Sequence, residues 1–452
     1  MLEFLWNASS FVVALGLLVT VHEYGHFWVA RRNGVKVLRF SIGFGKALFK
    51  WHDKQGTEFV IALIPLGGYV KMLDERVEDV PSELKNQSFN NKTVLQRMAI
   101  IFAGPAANFI FAVLVLWLMF FIGEKAAKPV IGSVDPGSIV EASGIQAGGQ
   151  IVTVNGTETL DWNGVNLALV PSIGNKIIDI EILSLDTNVT KSYVLDIEGK
   201  QLDQQQQPIF KTLGITRYRP AVTTIIAAVT EGSAAEFGGL KVGDEVVNIA
   251  GVVIDSWEKM VEMIQNNANN PLPFEVMRGD QQVTITITPQ AKKTDKGTVE
   301  GFVGVRPYGG TWPQEYIITI EYGVLDAFYQ GIEKTGQLIK LSFVMIGKLI
   351  TADVSVKNLS GPISIAQGAG NSADAGFVKF LWFLALISVN LGVINLLPLP
   401  ILDGGHLFYY TIELIRGKSV SERAQEIGFK FGAIVLFLLM GIAIINDISR
   451  LS

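Results

Sequence analysis

Cysteine is absent from this chain, which excludes a disulfide framework and every thiolate metal site. Any transition metal must therefore be held by histidine, aspartate or glutamate. Histidine is itself scarce, with four in 452 residues. Charge is low as well: 17% of residues are charged, against about 25% in soluble domains. The formal net charge of −5 lacks the basic excess that a nucleic-acid partner requires. No basic stretch precedes the first apolar run, Phe4 to Ala30, and the cations Arg31, Arg32, Lys36 and Arg39 follow it. A cleavable signal peptide has the opposite polarity, so this run reads as a span whose C-terminal end faces the cytoplasm. The lack of cysteine fits a chain with a large part outside the reducing cytosol.

What the chain does have is apolar length. Hydrophobic residues make up 49%, and the mean hydropathy is +0.36. Within the first span stands His22-Glu23-Tyr24-Gly25-His26, an H-E-x-x-H motif. On a helix the two imidazoles project from one face, one turn apart, which suits a shared Zn²⁺. Glu23 sits beside that position, placed to take a proton from an attacking water. Ionisable residues inside a span are costly and mark function by default; the alternative is polar groups satisfied by neighbouring helices.

Glycines 43, 45, 56, 67 and 68 punctuate short apolar runs between Val37 and Met72, with a hairpin turn at Lys54-Gln55-Gly56. This predicts a small sheet that dips into the membrane, or else a plain cytoplasmic hairpin. A polar loop follows, and then a second span, Met98 to Ile122. Its Gly104, Pro105 and Asn108 are expected to let another helix approach and to bond across helices near the site.

From Lys125 to about Tyr308 the pattern is strands and turns, and it repeats. Gly137, Gly144, Gly148, Gly156 and Trp162 recur as Gly232, Gly239, Gly243, Gly251 and Trp257, every pair 95 residues apart. The second copy, Gly239–Ile249, resembles a PDZ domain; the first departs from it in carrying Gly149 where the second has Asp244. Such domains take extended peptides on a sheet edge. Tyr322 to Leu349 reads as amphipathic helix lying on the membrane surface.

A third span, from about Phe377, runs into Asn390, Asn395, Pro398, Pro400 and Asp403. The prolines must break the helix, and broken helices at membrane depth line sites. Asp403 is the natural third ligand of a His₂Asp set, or alternatively a helix N-cap. His406 could reach the metal or serve as a supporting group. Asn390 and Asn395 are candidates to hold substrate backbone or a developing oxyanion. His52 reads as exposed. Arg416, Lys418, Arg423 and Lys430 put the next loop in the cytoplasm, and Phe431 to Ile445 spans outward again. Spans one and three then both approach the cytoplasmic side, so the distant ligands can meet at one depth.

The H-E-x-x-H in the first span, Gly104-Pro105-x-x-Asn108 in the second, and Asn395-x-x-Pro398-x-Pro400-x-x-Asp403-Gly404 in the third resemble the site-2 protease family of intramembrane zinc metalloproteases. The resemblance covers essentially the whole chain. It implies one Zn²⁺ on His22, His26 and Asp403, Glu23 as catalytic base, and Asn395 near the scissile bond. It further implies a membrane-associated β-region that presents substrate in extended form; Gly67, Gly68 and Tyr69, with Asn390 and Pro398, are taken as substrate contacts. The implied substrates are single-pass membrane proteins already shed by another protease, such as an anti-sigma factor, and remnant signal peptides. The implied location is the bacterial inner membrane, with both termini and the PDZ-like pair periplasmic and the active site toward the cytoplasm.

The expected fold is a polytopic α-helical membrane protein with four transmembrane helices, a membrane-associated β-sheet and two tandem PDZ-like (α+β) domains. The expected segments are the first transmembrane helix (1–36), β-region (37–72), cytoplasmic loop (73–96) and second helix (97–124). The PDZ-like domains (125–220 and 221–308) and the amphipathic helices with their connector (309–374) come next. The third helix with its ligand segment (375–405), a cytoplasmic loop (406–430) and the fourth helix (431–452) complete the chain. Two rival readings are a membrane-anchored PDZ scaffold without catalysis and a metal transporter. The complete ligand set argues against the first. The single polar cluster argues against the second.

Overall fold

The computed structural model describes residues 2–200, 202, 207–293 and 299–451. Met1 and Ser452, at the ends of the first and last expected segments, lie outside these, as do 201, 203–206 and 294–298 within the two repeats. Among the described residues, four helices are long and apolar enough to cross a membrane. They lie in α1 (Leu2–Arg32), α2 (Val94–Ile122), α5 (Phe377–Leu396) and α7 (Glu422–Leu451). α2 starts on a capping box, with Thr93 and Gln96 satisfying each other's backbone amides, and Pro105 is accommodated inside it.

Between α1 and α2 the strands β1 (Val37–His52) and β2 (Glu58–Met72) fold into one small sheet: residues 37–42 lie between 68–72 and 58–61, and 47–52 run antiparallel to 58–62. The register breaks around Gly43 and Phe44, where the first half of β1 gives way to the second. Phe27 of α1 anchors its base against Phe40 and Phe59, with ring centroids 5.5 and 5.6 Å away. At the end of the sheet away from Phe27, Phe44, Leu48, Phe49, Leu63 and Ile64 stay exposed. His52 is exposed.

The two repeats share one topology. The first has sheet order Thr157–Glu158, Gly149–Val154, Ile177–Ser184, Thr190–Asp196, and a separate pair joins Ile131–Val134 to Ile215–Arg217. The second has Val252–Val253, Glu245–Ile249, Leu272–Arg278, Gln281–Ile287, and the pair Ile226–Val229 with Val305–Pro307. The four recurring glycine pairs all have left-handed backbone, for example Gly148 at φ +87° and Gly243 at φ +90°, which explains why glycine recurs there. Asp244 is fully buried and held bidentately by Arg278 at 2.7 Å through each oxygen. The first repeat has Gly149 and Leu183 at the matching positions, and a Cβ on Gly149 would strike Ile182.

β3 (Glu124–Ala127), leaving α2, pairs with β4 (Ile317–Ile320), which returns from the second repeat. The two chain crossings between the spans and the repeats are thereby tied together. α3 (Val324–Ile350) follows as one unbroken helix. It packs on the spans rather than lying apart from them: Gly331 rests on the backbone of Val113 and Trp117, and Leu338 is buried in the helix core. A glycine at the crossing removes the side chain that would hold the two helices apart.

α4 (Pro362–Asp374) is capped by a residue from far along the chain. Asp447 of α7 accepts from the amides of Gly361 (2.9 Å), Ile363 (2.8 Å) and Ser364 (3.1 Å). Past α5 the prolines break the chain as expected, and α6 (Asp403–Arg416) forms at once. Much of the stretch expected as a loop over 406–430 is therefore helical, as α6 and the first turns of α7. The cause is local: an acid in the first turn, Arg416 in the last and Gly417 at φ +67° closing the end.

Candidate metal centre and active site

Three ring and carboxylate atoms meet at one point. His22 Nε2 and His26 Nε2 are 3.2 Å apart, and Asp403 Oδ2 lies 3.1 Å from the first and 3.4 Å from the second. These three residues form the group that could hold a metal ion among the described residues. A tetrahedral zinc with bonds of about 2.0–2.1 Å separates its ligand atoms by about 3.3 Å, so the triangle already has the required size. Asp403 Oδ2 is buried with no hydrogen-bond donor. An orphaned carboxylate oxygen facing two imidazole nitrogens is the arrangement a cation would satisfy. The donor set therefore fits zinc.

Both histidines are held from behind. His26 Nδ1–H donates to the Ile100 carbonyl at 2.9 Å, which leaves Nε2 free as a lone-pair donor. His22 Nδ1 lies 3.1 Å from the Asn108 amide nitrogen, while Asn108 Oδ1 is buried without a partner. With Nε2 given to a metal, the proton of neutral His22 sits on Nδ1. A half-turn of the Asn108 amide then brings Oδ1 round to accept it, and both groups are satisfied. Ser388 of α5 fixes Asn108 in turn, its hydroxyl donating to the Asn108 carbonyl at 2.8 Å. Asn108, expected to bond across helices, thus reaches His22 of the cluster itself.

Glycine makes room for the cluster. A Cβ on Gly104 would lie 2.8 Å from His22 Cε1 and closer still to the ring of His26. A Cβ on Gly25 would enter the Ala103 carbonyl and meet the Ala107 methyl, so α1 crosses α2 closely only because Gly25 has no side chain. Sequence reasoning passed over Gly25, although it stands inside the motif. It also missed Ser388 and Gly405, and gave Gly404 no role beyond its place in the motif. The two glycines let α6 fold back onto the carbonyls of Leu396, Leu397 and Leu399, which turns Asp403 toward the histidines.

Glu23 is half-buried beside the ligands, close enough for the charges of His26, His22 and Asp403 to act on it. Gly68 of β2 faces it: a Cβ there would lie 3.0 Å from Glu23 Cγ. Gly67 abuts the Phe44 ring, and Tyr69 stacks on Phe44 and accepts from Arg39 at 3.2 Å. Leu402, not Asp403, is the N-cap of α6, so the capping alternative for Asp403 does not hold. His406 packs its ring on Phe429 at 5.3 Å and is not part of the cluster. Asn390 is committed elsewhere, its side-chain oxygen accepting from Ser342 of α3 at 2.9 Å. Asn395 and Pro398 lie at the end of α5 and in the break beyond it, Asn395 half-buried and Pro398 exposed.

The arm carrying Asp403 is braced outside the cluster. Arg97 of α2 bonds Glu413 of α6 at 2.7 Å and lies 4.7 Å over the Tyr410 ring. Both partners are largely buried, with side-chain exposures of 11% and 17%. Glu413→Gln leaves the guanidinium without its counter-charge, at a cost of about 3 kcal/mol. A lower unfolding temperature and faster zinc loss on dialysis are expected. Unchanged zinc retention would show that α6 does not depend on this brace.

Comparison with known proteins agrees with this geometry. Residues 10–439 match the profile of peptidase family M50. The Yersinia pestis "Protease RseP" is 50% identical over 451 residues, covering 100% of both chains. The Escherichia coli (strain K12) "Regulator of sigma-E protease RseP" is 48% identical over 451 residues, again covering 100% of both. Among solved structures, the PDZ domain of an SdrC-like protein from Listeria innocua aligns with 20% of this chain and 97% of its own, at 19% identity and a TM-score of 0.17. Matched from end to end by such relatives, with a His₂Asp cluster between its apolar helices, the chain belongs to peptidase family M50, the intramembrane metalloproteases.

Proposed function

We propose that this protein is a zinc endopeptidase that cuts the transmembrane segments of single-pass membrane proteins, with His22, His26 and Asp403 holding one zinc ion and Glu23 acting as general base. The observation that carries the reading is the convergence of two Nε2 atoms and one Oδ2 within 3.1–3.4 Å of one another. Zinc held there would supply Lewis acidity, acidifying a water and polarising the scissile carbonyl. Glu23, beside the ligands, takes the proton of the attacking water and passes it to the leaving amine.

A helical peptide bond is covered by its own hydrogen bonds and neighbouring turns, so the substrate must unwind first. In lipid each unpaired backbone group costs several kcal/mol. The β1–β2 sheet stands beside α1, and Gly68 faces Glu23. We assign Gly67–Tyr69 to receiving the extended substrate by strand pairing. Asn395 and Pro398, at the broken end of α5, would contact it near the cleaved bond. Both repeats are read as PDZ-like modules on the periplasmic side, excluding substrates that keep a bulky outer domain. The Escherichia coli relative's name places it in sigma-E regulation. An anti-sigma factor of the inner membrane is accordingly the first substrate to try, with remnant signal peptides second.

Purified wild-type protein should carry one zinc per chain by elemental analysis and cut a single-span substrate. His22→Phe should lose both metal and cleavage. Zinc content unchanged in His22→Phe would remove this ligand set and the reading with it.

A further inference from the structure

A cavity of about 540 Å³ opens far from the metal centre, where α2 ends and α5 begins. Its walls come from the span ends, α3, and the Gly156–Gly164 stretch of the first repeat. The volume is that of a small-molecule site. The lining is charged in both senses: Glu158, Asp161 and Glu333 face Lys334 and Lys379. Lys379 is neutralised by an ion pair with Glu124. Lys334 differs. Among the described residues it has no carboxylate at salt-bridge distance, and its ammonium lies 5.7 Å from the Trp382 ring.

This leaves one ammonium that feels the charges of Asp161 and Glu333 but makes no ion pair, in a pocket at the edge of the apolar helices. An anion alone would meet the carboxylates, and a cation alone would leave Lys334 unanswered. A ligand with a phosphate and a primary amine a few bonds apart satisfies both. Next to the cavity Phe121 and Ile122 are exposed, at 47% and 44%, a flank suited to acyl chains. We infer that this cavity binds the headgroup of a phosphatidylethanolamine lipid, with Lys334 holding the phosphate and Glu158 and Glu333 accepting from the amine. Such a lipid would join the first repeat to the span bundle. This reading does not depend on catalysis at the metal centre.

Native mass spectrometry of the full chain in detergent, offered phosphatidylethanolamine and phosphatidylcholine with the same acyl chains, tests it directly. The trimethylated amine of the second lipid has no proton to donate. Losing a charged hydrogen bond is worth about tenfold in affinity, so wild-type protein should retain the primary-amine lipid with about tenfold preference. Lys334→Met should weaken retention of both lipids, while Glu158→Gln, on an exposed two-residue strand, should lower the preference alone. Equal retention of both lipids by wild-type protein, meaning an unselective lipid annulus, would overturn the inference. So would Glu158→Gln and Lys334→Met both behaving as wild type. Glycerophosphoethanolamine, which lacks chains, should compete poorly; if it binds as tightly as the lipid, the occupant is a soluble molecule and the lipid assignment fails.

Discussion

Glu23→Gln is expected to keep its zinc and lose cleavage. Glutamine has nearly the same shape and fills the same space, but its amide cannot accept a proton from water at neutral pH. Glu23 lies outside the group of ligand atoms, so metal content should match wild type. General-base catalysis contributes about 10²–10⁴-fold, and the cleavage rate of a single-span substrate should fall within or beyond that range. The two readouts separate the causes. Loss of zinc together with activity would make Glu23 a metal-holding group. Retained zinc with retained cleavage would leave the base to be found elsewhere.

Gly104→Ala is the second large effect, and it involves no chemistry. Its new methyl would lie 2.8 Å from His22 Cε1 and nearer still to His26. The neighbours cannot move aside cheaply. His26 is tied to the Ile100 carbonyl and His22 to Asn108, and both rings are nearly fully buried. Overpacking of this kind costs about 1–3 kcal/mol. A displacement of about 1 Å at a catalytic centre costs about a hundredfold in rate. Zinc affinity and cleavage should therefore both drop sharply, although alanine is the better helix former. If Gly104→Ala binds zinc and cleaves as wild type, α2 does not press on the ligand rings.

The candidate ligand set was legible in the sequence because its chemistry is local. Two histidines four residues apart define their own geometry once the segment is helical. Asp403 was legible through a different signal, a carboxylate just past two prolines in an apolar stretch. The internal repeat was legible through glycines, since left-handed backbone can be read directly from the residue that tolerates it. The supports of the site were less visible. Ile100 contributes a backbone carbonyl, which any residue has. Ser388 is one small polar residue in a long span. Arg97 and Glu413 are 316 positions apart and look like ordinary flanking charges. Asn390 looked suited to substrate by its place near the break, yet Ser342 of α3 takes up its oxygen. That helix, amphipathic by sequence, packs on the bundle because Gly331 allows it, and no hydropathy pattern carries that information.

The sequence by itself determined the composition of the centre, two imidazoles, an aspartate and an adjacent glutamate in apolar surroundings, because helical spacing and the cost of charge in lipid are properties of short segments. It also determined that two copies of one strand-and-turn module lie between the spans. Only the tertiary structure decided that Asp403 meets the histidines at ligand distance, that Gly25, Gly104, Gly404 and Gly405 make room for that meeting, and that Asn108 holds His22 from behind. Those are relations between helices far apart in the chain. They depend on which surfaces approach closely, and close approach is a property of packing, settled only when all the helices are in place.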